Sequence, residues 1–74
     1  MSNFKLRNFQ IVAVSDPAVT WALFDIDFDN GSVARRASIL DDGTAIRLSG
    51  IEASPTLREE IIGAAMEEAS RRRR

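Results

Sequence analysis

The sequence predicts an α+β domain: a four-stranded antiparallel β-meander with one C-terminal helix packed on one face (ββββα). Three observations carry this. Ala22, Phe24, Ile26 and Phe28 make a clean apolar row at every second position, alternating with Trp21, Leu23, Asp25 and Asp27, the period of a half-buried strand. Asn30-Gly31 and Asp42-Gly43 are hairpin-turn dipeptides, because a type I′ turn needs positive φ at both central residues. Ser54-Pro55 precedes an apolar stripe at helical spacing, with serine placed as N-cap and proline at the first helical position.

The first strand is expected over Phe4–Val14. Its apolar residues fall on even positions at Phe4 and Leu6 and on odd ones at Phe9, Ile11 and Ala13. A one-residue shift turns side chains to the other face, so a bulge near Arg7–Asn8 is expected. Ser15-Asp16-Pro17 reads as a turn.

The second strand is expected over Val19–Asp29. With Asn30-Gly31 as a two-residue loop, Phe28 opposes Val33, Ile26 opposes Arg35, Asp25 opposes Arg36, Phe24 opposes Ala37, Ala22 opposes Ile39 and Trp21 opposes Leu40. Arg35 then falls on the apolar face, at the sheet margin, with its head reaching solvent. With Asp42-Gly43 as the next loop, Ile46 opposes Ile39, Arg47 opposes Ser38 and Leu48 opposes Ala37. Gly50 ends the fourth strand. Thr56 with Glu59 offers an alternative capping box. Leu57, Ile61, Ile62, Ala65, Met66 and Ala69 form the helix stripe, and Glu67–Arg71 and Glu68–Arg72 stand four apart in the favourable order. Phe24, Ile26, Phe28, Ile39, Ile46, Leu48, Leu57 and Ile61 are the expected core.

The 74 residues suffice for one domain. Residues 1–70 read as that domain and residues 71–74 as a basic tail. The hydrophobic fraction of 45% and charged fraction of 28% are ordinary for a soluble globular chain. No apolar run approaches a membrane span, and the cytoplasm is the expected compartment. Cysteine and histidine are absent, which excludes disulfides, thiolate zinc sites, imidazole ligands and the usual general base and thiol nucleophile. No enzymatic activity and no cofactor are expected. A core this small often leans on self-association.

Three groups of residues are candidate sites. Asp25, Asp27 and Asp29 lie on one strand face, roughly 6–7 Å apart. They open like a calcium loop, but Asn30 stands where that loop needs glycine and Arg36 where it needs glutamate. The row reads as a solvated acidic face, or as an acidic contact surface for a basic partner protein. Trp21, Leu23 and Leu40, with Ala45, fall on the face away from the helix. There they form an interface for a second copy, unless the first strand or a loop covers Trp21. Arg71, Arg72, Arg73 and Arg74 either contact phosphates or cap the negative end of the helix, pair with Glu67 and Glu68, or form a frayed end. These four carry +4, so the net −1 of the chain leaves −5 on the first 70 residues.

Ile39-Leu40-Asp41-Asp42-Gly43 followed by Ala45-Ile46-Arg47-Leu48, after an opening strand Phe4-Lys5-Leu6-Arg7 and before a helix with Arg58, Ile61 and Ile62, resembles the stage V sporulation protein G (septation regulator) family. The resemblance implies the same order of elements and transfers no functional residue.

The expected function is non-enzymatic binding. The acidic sheet face would meet a basic, nucleic-acid-binding surface of a partner protein, as small inhibitors of the anti-CRISPR kind do; that analogy rests on size and charge alone. The alternative is a nucleic-acid-binding regulator that uses the arginine tail, joined as a dimer.

Overall fold

The computed structural model describes residues 4–16 and 18–72. The elements run β1 (Phe4–Val12), β2 (Thr20–Phe28), β3 (Val33–Asp41), β4 (Ile46–Ser49) and α1 (Pro55–Arg72). One antiparallel sheet carries the strands in the order β1-β2-β3-β4, the meander expected from the turn dipeptides. Pro17 of the expected first turn lies outside the described residues. Around it, Asp16 Oδ1 accepts the Ala18 N–H at 2.9 Å and the Asp16 carbonyl accepts the Val19 N–H at 3.1 Å.

One sheet face is apolar and α1 covers it. Phe4 and Phe9 from β1, Ala22, Phe24 and Ile26 from β2, Ala37 and Ile39 from β3, and Leu48 from β4 are buried against Ile61, Ala65 and Ala69 of the helix. Phe28 and Leu57, expected in the core, are only partly buried against it. The Phe9 and Phe24 rings stack with centroids 5.7 Å apart.

The helix begins as its sequence requires. Ser54 Oγ accepts the Leu57 N–H at 3.3 Å, and the Ser54 carbonyl accepts the Arg58 N–H at 2.9 Å. Serine thus satisfies one of the orphan donors of the first turn. The half-buried Arg58 guanidinium donates to the Leu48 carbonyl at 2.8 Å and to the Ile51 carbonyl at 3.3 Å, tying the helix start to the end of β4. The helix continues through Arg72, so Arg71 and Arg72 belong to its last turn and not to a separate tail.

Both hairpins depart from the expected register. Phe28 exchanges hydrogen bonds with the loop at Ser32 (2.9 Å) and Gly31 (3.1 Å). The loop is therefore the three residues Asp29, Asn30 and Gly31, with Gly31 at φ 90, a turn followed by a left-handed residue. Ile26 then pairs with Ala34 and Asp27 with Val33, in place of Ile26 with Arg35 and Phe28 with Val33. A bulge at Arg35–Arg36 absorbs the extra residue, and Phe24–Ala37, Ala22–Ile39 and Trp21–Leu40 pair as expected. In the second hairpin Asp41 pairs with Ile46 and Ile39 with Leu48, in place of Ile39 with Ile46. The turn is centred one residue later, on Gly43-Thr44, with Gly43 at φ 91 in the first central position. The register moves by two, so every side chain keeps its face. Ile46, however, is carried to the sheet end and is 40% exposed.

Candidate functional site: the helix-free face of the sheet

The pairing places the outward side chains in rows across the strands. One row is Val12, Trp21, Leu40 and Arg47; the next is Gln10, Leu23, Ser38 and Ser49. Beyond them Arg7 stands opposite Asp25, and Lys5, Asp27 and Val33 form the last row. No helix covers this side. Trp21 and Leu40 are 39% and 38% exposed, Val12 and Leu23 are half-buried, and β1 lies beside Trp21 rather than over it. Trp21, Leu23 and Leu40 thus come together as expected, whereas Ala45 sits in the β3–β4 turn.

The aspartates do not form a free acidic row. Asp25 Oδ2 accepts from Asn8 Nδ2 at 2.8 Å, and its Oδ1 accepts the Arg36 backbone N–H at 3.0 Å. These two partners are the only non-glycine residues with positive φ among the described residues, Asn8 at φ 53 and Arg36 at φ 61. The bulge of β1, expected near Arg7–Asn8, falls between Arg7 and Gln10; the bulge of β3 contains Arg36. A single carboxylate on β2 holds both. The contact with Arg36 is to its amide, not the charge pair expected across the strands. The Asn8 side-chain donor first, then the Arg36 amide, then nearby Arg35 and Arg36 charge hold the Asp25 carboxyl below its usual pKa.

Asp27 Oδ2 pairs with Arg7 Nη1 at 3.1 Å, and Asp29 lies in the hairpin loop beyond the end of β2. Arg35, expected on the apolar face, is instead turned outward by the bulge. With Arg7, Asn8, Asp25, Asp27 and Val33 it lines a shallow concavity of about 440 Å³. Among the described residues, no three acidic, histidine or cysteine side chains lie close enough to hold a metal ion.

Arg71 and Arg72 are occupied. Arg71 Nη2 meets Glu68 Oε2 at 2.7 Å, not Glu67, and Arg72 Nε meets Glu68 Oε1 at 3.3 Å. The Arg72 guanidinium also lies 5.2 Å from the centroid of the Phe9 ring, a cation–π contact. Arg73 and Arg74 lie outside the described residues.

A further carboxylate organises the β3–β4 turn. Asp42 Oδ1 accepts the Thr44 hydroxyl at 2.7 Å, the Thr44 N–H at 2.9 Å and the Ala45 N–H at 3.0 Å. The Thr44 hydroxyl and amide first, then the Ala45 amide, lower its pKa to about 2. The Asp-x-Thr spacing is the sequence signal for this capped turn. No protein-family model, curated protein or solved structure matches the chain. No helix among the described residues is long and apolar enough to cross a membrane.

Proposed function

We propose that the chain is a non-enzymatic binding protein that docks a protein partner on the helix-free face of its sheet. The observation that carries this is the cross-strand row Val12–Trp21–Leu40, with both large members more than one-third exposed. Tryptophan concentrates binding energy at interfaces, and neighbouring aliphatic side chains exclude water around it. The contact is mixed in character, an apolar row at one end and the charged concavity of Arg7, Asp27 and Arg35 at the other. Asp25 serves the fold of this surface more than the contact itself. Inhibition by occlusion of a partner's own binding site suits a domain of this size. The nucleic-acid reading draws less support, because Glu68 and Phe9 already engage Arg71 and Arg72.

The test is affinity capture from nuclease-treated extract with the wild-type chain and with Trp21→Ser, paired with anisotropy titrations of labelled DNA and RNA. A polypeptide retained by the wild type and lost by the variant supports the proposal. Identical retention by both chains, or salt-sensitive nucleic-acid binding that disappears when residues 71–74 are removed, contradicts it.

A further inference from the structure

We infer that the helix-free face takes an acidic, leucine-bearing segment of its partner, the reverse of the charge preference read from the sequence. The inference rests on the protein-binding proposal above and adds the partner's chemistry.

Folding sorts charge that the sequence interleaves. Lys5, Arg7 and Arg47 stand on this face by register, and Arg35 joins them at the concavity. Asp25 and Asp27 are the carboxylates among them by register, and Asp42 of the β3–β4 turn lies near Arg47. All three are engaged, Asp25 by the two bulges, Asp27 by Arg7 and Asp42 by Thr44 and Ala45. Lys5, Arg35 and Arg47 take part in none of the ion pairs among the described residues. The glutamates Glu59, Glu60, Glu67 and Glu68 are carried away on α1. A chain of net charge −1 thus turns a cationic face outward, and the field of such a face favours an anionic partner.

The apolar and cationic groups are continuous. Arg47 extends the Val12–Trp21–Leu40 row at the β4 edge, and Arg35 and Arg7 flank the concavity beyond Leu23. A segment that lays leucine on Trp21 and Leu40 brings neighbouring carboxylates within reach of Arg47 and Arg35. A second copy is a poorer occupant, because it presents the same cations. A single-stranded nucleic acid is also poorer. Asp25 and Asp27 interrupt the cation track, and Trp21 is flanked by aliphatic groups rather than by further stacking platforms.

Trp21 is the only tryptophan and tyrosine is absent, so intrinsic emission reports from this face alone. The experiment titrates the full chain at low salt with three probes: a soluble peptide carrying leucines among glutamates, the same peptide with lysine for glutamate, and an oligothymidylate. The expected result is a blue shift with the glutamate peptide only. Binding should weaken by about tenfold or more in the Arg35→Glu/Arg47→Glu double variant, whose fold is verified by circular dichroism. Equal binding of the lysine peptide, or unchanged affinity in the double variant, overturns the charge assignment and leaves the protein-binding proposal standing. A response to the oligonucleotide alone overturns both. No response to any probe overturns the acidic assignment.

Discussion

The carboxylate of Asp25 accepts the backbone N–H of Arg36 at 3.0 Å, and this contact fixes a left-handed residue in the middle of β3. An arginine at φ 61 is disfavoured by its own Cβ, which crowds the following carbonyl. The second oxygen of Asp25 holds Asn8, the left-handed residue of the β1 bulge. Both bulges therefore depend on one β2 side chain with two acceptor oxygens.

Asp25→Ala should lower the urea midpoint of unfolding and speed hydrogen exchange at the Arg36 amide. Asp25→Asn should rescue only in part, because an amide offers one acceptor where two donors point. Asp29→Lys, in the open loop, should leave the midpoint unchanged. Equal midpoints for Asp25→Ala and Asp29→Lys would refute the clamp.

Gly50 approaches the same bulge from the far side. It sits at φ 86, and a Cβ there would lie 2.7 Å from the Arg36 carbonyl oxygen. That atom is backbone and cannot swing away. Gly50→Ala should cost more than the roughly 1–2 kcal/mol of a left-handed residue alone, whereas Gly63→Ala, where a Cβ meets nothing within 4 Å, should stabilise the helix by about 0.5–1 kcal/mol. Chemical denaturation of the two variants measures both.

Acid should weaken the fold through Asp42 and Asp25. Both carboxyls are held below their ordinary pKa by hydrogen bonds to the charged form. Such a group stabilises the folded state above its unfolded pKa, and the contribution is lost as pH falls through the folded value. For Asp42 the loss runs from about 3.8 down to about 2. Thermal melts across that interval should show falling stability, and Asp42→Ala should flatten the slope. An identical slope in the variant would contradict the turn chemistry.

The last helical turn is anchored by Arg72 through Glu68 and the Phe9 ring. Arg72→Ala should cost about 0.5–1 kcal/mol, and Arg72→Lys should recover part of it. Ser54→Ala, at the other end of the helix, should cost about 1 kcal/mol. Denaturation midpoints test all three.

The order of elements, the helix start and the β1 bulge were legible because each leaves a mark in residue type. The switch of apolar parity between Leu6 and Phe9 announces the first bulge. The second leaves none. Val33 is apolar and looks like a core residue, and alanine at position 34 is too small to signal that it takes the inward place. Ala22, Ala37, Ala65 and Ala69 fall on the apolar faces expected of them and are buried, where their short side chains let helix and sheet approach closely. The Asp42-Gly43 dipeptide admits glycine at either central turn position, so it marks the hairpin without choosing between two registers. At the candidate site, the pairing of Trp21 with Leu40 follows from the alternation together with the Asn30-Gly31 turn. The sign of the face does not, because it depends on Arg7, Arg35 and Arg47 arriving from three other strands.

A bound partner is expected to cover Trp21. Incorporation of 5-fluorotryptophan at this single site gives one fluorine resonance, to be recorded for the free chain and for its complex with the polypeptide retained in affinity capture. A shifted resonance that loses its sensitivity to solvent H₂O/D₂O exchange is the expected result. A resonance unchanged in position and solvent sensitivity in the assembled complex would place the contact elsewhere and contradict the assignment.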